Sequence, residues 1–383
     1  MTDLIPNQRH LFDIPTEVAY LNCATMGPLP IAAVEAGKIG LARKARPWNI
    51  PSEDFFKDTA SLRPKLAKLI NADAAGIAFV PSVSYAIATA MQNITVERGQ
   101  NILLLEDQFP SNVYAWRDYA AKTGAEIKTI AEADGGMTLS DALLAAIGPD
   151  TGLVACAHVR WTDGARLDLD AIGARCREVG AALVLDMTQS CGAMAFDAQV
   201  VQPDFMVAAG YKWMFGPYST GFMYAAPHRR NGRPLEHNWI ARKGSRDFTR
   251  LTDYQDEFAP GAERYDMGER SNFALLPALE AATDMVLGWG VANIEATLGA
   301  QNLKLAERLN AMGLPCPDET RRGAHYLGAR LPEGAPADLT TRLASEQIYI
   351  SKRGQSLRIT PHLYNTQDDM DRLLEALGRH LCA

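Results

Sequence analysis

The sequence predicts an α/β protein in which a mainly parallel sheet lies between helices, followed by a smaller α+β domain. Between residues 76 and 225, short β-type apolar runs alternate with helix-type runs. That alternation is typical of a parallel sheet that is buried on both faces. Beyond about residue 270 the pattern changes to longer helices and a few short strands. The 383 residues are 47% apolar, which is enough for a large core and for two or three domains.

Seven apolar runs are the predicted strands of the large sheet. In chain order they are GIAFV (76–80), NILLLE (101–106), EIKTI (126–130), LVACAHV (153–159), ALVLD (182–186), DFMVAA (204–209) and TGFMYAA (220–226). Helix-type runs follow the first four of them, at 85–94, 113–124, 139–148 and 169–180. Ligands collect at the carboxyl ends of strands in such sheets, so we expect the chemistry just after these runs.

The C-terminal part is predicted as a second, smaller domain. A helical stretch at 275–312 precedes strand-like HYLGARL (325–331), a helix at 337–346, strand-like IYISKRG and SLRIT, and the helix DDMDRLLEALGRHL. The polar, proline-punctuated N-terminus is predicted to be an arm. We therefore expect an arm at 1–20, a large domain at 21–270 and a small domain at 271–383.

Charge and cysteine content exclude several classes of protein. The net charge is −7 without a basic run, which argues against nucleic acid or an anionic membrane as a partner. Six scattered cysteines form no CxxC pair and no zinc spacing, so no metal site is predicted. With no signal peptide and no apolar run of about 18 residues, we expect a protein of the reducing cytoplasm.

Polar residues follow two of the predicted strands. Ser82, Val83 and Ser84 come after the first strand and just before a helix, where backbone N–H groups could hold a phosphate. The other interpretation of Ser82 is an ordinary helix cap. Asp186 ends the run ALVLD. It could be a structural hydrogen-bonding group, an acid, a metal ligand or a counter-ion for a cationic heterocycle.

Lys212 follows the next strand, in the stretch VAAGYKWMFG. Burial at a strand end would lower the pKa of its amine and free the amine for Schiff-base chemistry, whereas a lysine at the sheet rim would extend into water. Lys212, Asp186 and the serine-containing turn together are the parts of a pyridoxal 5′-phosphate (PLP) site. That cofactor needs a lysine, an acid for its ring nitrogen and a phosphate cradle.

Several longer stretches match one known family. They are YLNCATMGPLP (20–30), PSVSYAI (81–87), FPSNVYAW (109–116), HVRWTDGARLDLDAI (158–172), DMTQSCGAMAFD (186–197), YDMGERSNF (265–273) and SKRGQSLRITPHLYNT (351–366). With them the sequence resembles the class V aminotransferase group of fold-type I PLP-dependent enzymes. That group includes epimerase-like, kynureninase-like and cysteine desulfurase-like members. The resemblance covers nearly the whole chain, and Asp-x-x-Gln followed by Gly-Tyr-Lys is its most specific part.

The resemblance implies a role for each matching residue. Lys212 would form the internal aldimine with PLP and then move the α-proton through a quinonoid intermediate. Asp186 would bond the ring nitrogen, Gln189 the ring oxygen, and Phe109 would stack on the ring. The remaining implied contacts are Ser82, Val83, Ser84 and Tyr211 with the phosphate, Gly268 and Glu269 with the neighbouring subunit's phosphate, and Asn22, Arg358 and His362 with the substrate. Relatives often have Gly-Thr at 268–269 and Asn at position 161, where this chain has Glu269 and Trp161.

The resemblance implies a homodimeric enzyme that acts at the α-carbon of a small amino-acid substrate. We expect an aminotransferase or an epimerase first and a β-lyase or cysteine desulfurase second. A desulfurase needs a mobile-loop cysteine thiolate, and ASEQIYISKRGQSLR, before and including Arg358, contains no cysteine. The third hypothesis is a non-catalytic binding protein with this fold. The presence of Lys212, Asp186, Gln189 and Arg358 together argues against it.

Overall fold

The computed structural model of the chain describes residues 4–132 and 136–381. Those residues contain twelve strands. In chain order they are β1 (Ala19–Tyr20), β2 (Ile77–Phe79), β3 (Asn101–Leu105), β4 (Glu126–Ile130), β5 (Thr151–Ala157), β6 (Ala182–Asp186), β7 (Phe205–Ala209), β8 (Gly221–Ala225), β9 (Leu327–Arg330), β10 (Ile348–Tyr349), β11 (Ser351–Arg353) and β12 (Ser356–Ile359).

Seven of these strands form the central sheet, in the spatial order β2-β8-β7-β6-β5-β3-β4. Neighbouring strands are parallel except at β8, which runs antiparallel to β2 and β7. Each of the seven apolar runs in the sequence supplies one strand of this sheet. The predicted α/β fold with a mainly parallel, seven-stranded sheet is therefore confirmed.

Eleven α-helices lie in the same described residues. They are α1 (Ile31–Arg43), α2 (Asp54–Leu69), α3 (Val83–Asn93), α4 (Tyr114–Thr123), α5 (Leu139–Ala146), α6 (Leu169–Val179), α7 (Ala198–Val201), α8 (Leu275–Trp289), α9 (Val291–Ala311), α10 (Leu339–Ser345) and α11 (Gln367–Leu381). The single predicted helical stretch at 275–312 is two helices. Gly290, at φ +79°, separates them in a conformation that a residue with a Cβ rarely adopts.

Helices cover both faces of the central sheet. Side chains alternate along β6, so Leu183 and Leu185 belong to one core and Ala182 and Val184 to the other. Apolar side chains of α2, α6 and α8 pack into the first core, and those of α3 and α4 pack into the second. This burial on both faces explains why the strands read as continuous apolar runs.

A third core holds the smaller part of the chain together. It contains apolar side chains from β9, β12, α10 and α11. The strands β11, β12 and β9 form an antiparallel sheet over it, and β1 pairs in parallel with β10. Ala19 and Leu21 are buried in this third core. The N-terminal segment is therefore part of the small domain's structure and crosses from there toward the central sheet.

The change from one core to the next lies within α9. Ile294 and Leu298 pack into the first core, whereas Leu305 and Leu309 pack into the third. The change of core within α9 lies after the predicted boundary near residue 270. Helix α8 lies between the two positions, and it packs on α1 and α2 of the large part of the chain. In the described part of the chain no single helix is long and apolar enough to span a membrane, and only the bent pair α8–α9 reaches that length and composition together.

Candidate active site

Five segments converge at the carboxyl edge of the central sheet. They follow β2, β3, β5, β6 and β7, the place where the parallel strands of such a sheet present their ligand-binding residues. A cleft lies between them. It is lined by Val83, Gln108, Phe109, Ala157, Val159, Arg160, Trp161, Asp186, Thr188, Gln189, Tyr211 and Lys212. Six of the thirteen predicted site residues thus lie around one cavity: Val83, Phe109, Asp186, Gln189, Tyr211 and Lys212.

Lys212 is the buried amine of this cleft, with 7% of its surface exposed. Burial lowers its pKa from 10.5 to about 8, and the charges of Arg358 and Arg353 act in the same direction. Its Nζ lies 5.6 Å from the ring centroid of Phe109 and 5.8 Å from that of Tyr211. No described residue forms a hydrogen bond or an ion pair with Nζ. The side chain therefore has the character of a nucleophilic amine.

A tight turn after β7 fixes the position of Lys212. Gly216 N donates to Gly210 O at 2.8 Å, and Phe215 within the turn has φ +57°, a costly conformation for an aromatic residue. The N-terminal segment seals the turn, because Gly27 N donates to Tyr211 O at 2.9 Å. A Cβ on Gly27 would lie 2.1 Å from Lys212 O. Only glycine fits at this close approach.

Asp186 is the buried acid at the end of β6. Its Oδ1 accepts a hydrogen bond from Thr188 N at 3.0 Å, and Thr188 is anchored in turn because its Oγ1 accepts from Ala209 N at 3.1 Å. Burial raises the pKa of the Asp186 carboxyl, while Thr188 and Lys212 lower it. A cationic N–H group in the cleft would favour the ionised carboxylate.

Two glutamine side chains line the cleft and differ in their hydrogen bonds. The amide of Gln189 is held by the protein, since Nε2 donates to Ala24 O at 3.1 Å and Oε1 accepts from Trp213 Nε1 at 3.0 Å. One N–H of Gln189 remains. Gln108, which the sequence analysis did not single out, has a buried Nε2 without a hydrogen-bond partner in the described structure. Its only sequence signal is its position directly before Phe109, just beyond β3.

The N-terminus of α3 opens onto the cleft. Ser82 caps this helix, because its Oγ accepts from Tyr85 N at 3.2 Å, and it lies 2.9 Å from Ser84 Oγ. Both serines are exposed, whereas Val83 lies on the cleft wall. The unpaired backbone N–H groups and the positive end of an eleven-residue helix favour an anion here.

Arg358 is a buried cation behind the cleft. Its guanidinium donates to Ser351 Oγ at 2.9 Å, to Trp161 O at 2.9 Å and to Thr25 Oγ1 at 2.6 Å. No carboxylate among the described residues pairs with it, and burial lowers its pKa. A buried, unpaired guanidinium is costly, and it suits the binding of a carboxylate from a ligand.

Asn22 lies beside this arginine. Its Oδ1 accepts from Thr25 Oγ1 at 2.8 Å and from Ser351 Oγ at 3.0 Å. Both hydroxyls also accept from Arg358. Asn22 therefore belongs to the hydrogen-bond network that orients the guanidinium.

Three of the predicted site residues lie elsewhere. His362 is fully buried in an aromatic cluster, 4.5 Å from the ring centroid of Phe215, and its Nδ1 accepts from Leu363 N at 2.8 Å. Burial lowers the pKa of His362 to about 3, so the ring is neutral, and it does not line the cleft. Gly268 N donates to the Glu236 carboxylate, and Glu269 is exposed at φ +53°. Neither lines the cleft of this chain.

The chain is similar to known proteins of one family. A family model described as Aminotransferase class-V matches residues 45–373. Isopenicillin N epimerase of Streptomyces clavuligerus is 27% identical over 388 residues, which cover 96% of each chain. A cysteine desulfurase of Cronobacter sakazakii is 25% identical over 383 residues, covering 94% of this chain and 93% of that protein. The solved structure of a cystine C–S lyase with its product cysteine persulfide has a TM-score of 0.84 at 21% identity, over 95% of this chain and 98% of that one.

Proposed function

Because this chain belongs to the class-V aminotransferase family, we propose that it acts at the α-carbon of an amino acid, as an aminotransferase or an epimerase. The observation that carries the proposal is a single cleft that combines the buried amine of Lys212, the buried carboxyl of Asp186 and, behind them, the unpaired Arg358. The predicted family and the PLP cofactor are confirmed, since enzymes of this family depend on PLP.

The side chains around the cleft fit that cofactor. Gln108 Nε2 is buried without a hydrogen-bond partner among the described residues, Lys212 Nζ forms no ion pair with any of them, and Asp186 is held by Thr188. A helix N-terminus supplies a phosphate site at Ser82 and Ser84. When bound, PLP withdraws electrons from the α-carbon of the amino acid that it carries.

Lys212 is proposed as both the attachment point and the proton carrier. An amine with a pKa of about 8 is a base of suitable strength to take a proton from the α-carbon near neutral pH and to return it. Epimerisation would return the proton to the opposite face of the same carbon. Transamination would deliver it to a different carbon. The same amine therefore serves either outcome, and the fold alone does not choose between them.

Asp186 and Gln189 are proposed to orient the ring of the cofactor. Asp186, held by Thr188, offers a carboxylate to the ring nitrogen, and that ion pair would offset the burial that raises its pKa. Gln189 has one free N–H for the ring oxygen, because Ala24 and Trp213 occupy its other groups. Phe109, which meets Trp161 edge to face at 5.4 Å, would cover the ring.

Phosphate and substrate contacts complete the proposed site. Ser82, Ser84 and the N–H groups at the start of α3 would hold the phosphate, with the Tyr211 hydroxyl beside them. Arg358 would bind the α-carboxylate of the substrate through its planar fork, and Asn22 would keep that fork in place. Gly268 and Glu269 are proposed to contact the phosphate of the neighbouring subunit.

A carbon–sulfur lyase or cysteine desulfurase is the second candidate. The sequence and fold similarity to such enzymes supports it. Two thiols are near the site. Cys23 is buried with its Sγ 3.7 Å from Lys212 O, and Cys316 lines a second cleft that shares Arg160 and Trp161 with the first. Burial raises the pKa of Cys316 to about 11, so the thiol is protonated at neutral pH and is a poor sulfur acceptor. Burial raises the pKa of the Cys23 thiol as well. This argues for a lyase without a cysteine nucleophile over a persulfide-forming desulfurase.

The reaction is tested by adding L- and D-amino acids to the PLP-loaded enzyme. Conversion of the bound cofactor to its pyridoxamine form would identify a transaminase. Exchange of the α-proton with solvent deuterium and loss of optical activity, without that conversion, would identify an epimerase. Release of sulfide, or release of pyruvate or alanine from another amino acid without conversion of the cofactor, would establish the second candidate and overturn the first.

A further inference from the structure

A second cleft opens directly beside the proposed site. Arg160 and Trp161 line both clefts, so the two adjoin at these residues. The second cleft is also lined by Arg330, Arg353 and Ser356. Arg353 lies close enough to Lys212 for its charge to lower the pKa of that amine, so this cleft is within reach of the side chain of an amino acid bound at Lys212. Its chemistry therefore bears on which amino acid is bound.

The hairpin formed by β11 and β12 brings a second arginine to the same face as Arg358. Ser351 lies opposite Arg358, and Arg353 lies opposite Ser356. Residues two positions apart on a strand share a face, so Arg353 and Arg358 are diagonal neighbours, with Cα atoms about 7–8 Å apart. Both guanidiniums approach the ring of Trp161, with Cζ 5.3 Å from the centroid for Arg353 and 5.9 Å for Arg358.

The charge of Arg353 is not balanced by the protein around it. Arg160 in the same cleft is paired with Asp163 and Glu132. Arg353 forms no ion pair with any residue of the described ranges, and its one hydrogen bond runs from Nη1 to Lys352 O at 2.7 Å. Asp107 also lines the cleft, but it forms no ion pair with an arginine there. Arg353 is thus a cation without an ion pair in the described ranges, in a chain whose net charge is −7.

We propose that the substrate is an amino acid whose side chain ends in a second carboxylate, and that Arg353 binds that carboxylate. The inference rests on the proposed function, because Arg358 must take the α-carboxylate for the side chain to point toward Arg353. Both guanidiniums lie near the ring of Trp161, which would place them on one side of the substrate. An uncharged side chain would leave Arg353 without a counter-ion, and this is the basis of discrimination.

The test measures how tightly the PLP-loaded enzyme binds acidic amino acids and their amides. L-Glutamate is compared with L-glutamine and L-aspartate with L-asparagine, by titration of the cofactor absorbance. Glutarate, which has no amine, is compared with butyrate by calorimetry. At least one acid is expected to bind about tenfold to a hundredfold more tightly than its amide. In Arg353→Gln that ratio should collapse to about threefold or less, and Arg353→Lys should restore part of it.

Lys352→Gln is the matched control, because Lys352 is the adjacent cation on the other face of the hairpin. Its acid-to-amide ratio should equal that of the wild type. The inference is overturned if no acid binds more tightly than its amide, or if Arg353→Gln keeps the ratio. Failure of the proposed function would look different, since then no amino acid would change the absorbance of the bound cofactor.

Discussion

Lys212 is the residue on which the proposed chemistry depends. Burial is the main cause that lowers the pKa of its amine; Asp186 acts against this lowering, and the charges of Arg358 and Arg353 add to it. Above pH 8 the amine is mostly neutral and can attack a carbonyl carbon. In water a lysine reaches that state only above its ordinary pKa of 10.5. The site thus produces a reactive amine through burial and neighbouring charge.

The lowered pKa predicts a shifted pH profile for the cofactor-free protein. The rate at which Lys212 reacts with an amine-specific reagent should rise with a midpoint of about pH 8. Because the folded pKa lies below the unfolded one, the unfolded chain binds more protons between pH 8 and 10.5. Stability contributed by this group therefore rises across that window. Peptide mapping of the label gives the profile, and a midpoint near 10.5 would contradict the account.

Arg358 should control the affinity for the substrate. Arg358→Ala is expected to weaken amino-acid binding by about tenfold to a hundredfold, since a charge-assisted pair is lost. Arg358→Lys should recover only part of this, because an ammonium group cannot form the two-point contact. KM and kcat of each variant, with the melting temperature as a check on folding, provide the measurement. An unchanged KM in Arg358→Ala would remove Arg358 from the substrate site.

The sequence predicts the candidate residues of the site better than it predicts their supports. Lys212 and Asp186 are predicted because they lie at the ends of buried strands, where a charged residue is unusual. Trp213, which anchors Gln189, and the unpaired Gln108 could not be found, because both roles arise only from contacts between distant segments. His362 also follows a strand. A strand end does not reveal whether a histidine faces a cleft or an aromatic cluster.

Among the elements, α3 connects the fold to the proposed phosphate site. Its first turn begins shortly after β2, and Ser82 caps the helix next to Val83, which lines the cleft. Thr138 plays the same capping role at α5, where it exchanges hydrogen bonds with Asp141. That helix does not line the cleft. Ser82 and Thr138 therefore cap their helices in the same way, but only Ser82 lies beside the proposed site.

The two caps predict different consequences of the same substitution. Ser82→Ala and Thr138→Ala should each lower the free energy of unfolding by about 1 kcal/mol, because each leaves a helix N–H without its acceptor. Only Ser82→Ala should also raise the dissociation constant for PLP. Denaturant unfolding of the cofactor-free protein and titration with PLP measure the two effects. Equal PLP affinity in both variants would place the phosphate elsewhere.

The apolar runs predict the strands directly, whereas periodicity does not mark where one core gives way to the next. In runs such as ALVLD the residues before the final aspartate are all apolar, because helices cover both faces of the sheet. This pattern is visible in the sequence itself. Helix α9 is amphipathic along its whole length, yet its first half packs on one core and its second half on another. Periodicity shows that a helix has a buried face. It does not show which core receives that face.

For the whole molecule we predict a homodimer. Several large apolar side chains near the N-terminus are exposed, among them Ile39 at 68%, Leu41 at 67% and Trp48 at 79%. Such a patch favours a protein interface. Light scattering should give about twice the chain mass of 41.7 kDa.

A charge within that patch should weaken the dimer. Ile39→Asp combined with Leu41→Asp is expected to shift the equilibrium toward the monomer. Val200→Asp, at an exposed apolar residue on α7, serves as the control that should leave the dimer intact. A wild-type protein that is monomeric at micromolar concentration would contradict the prediction.

The attachment of the cofactor to Lys212 is the central claim and can be measured directly. The PLP-loaded enzyme is reduced with borohydride, digested, and mapped by mass spectrometry for the phosphopyridoxyl group. The account predicts the group on Lys212 alone, and no covalent label in Lys212→Ala, although this variant should still bind PLP reversibly through Asp186 and the start of α3. A label on another lysine, or a reducible link that persists in Lys212→Ala, would contradict it.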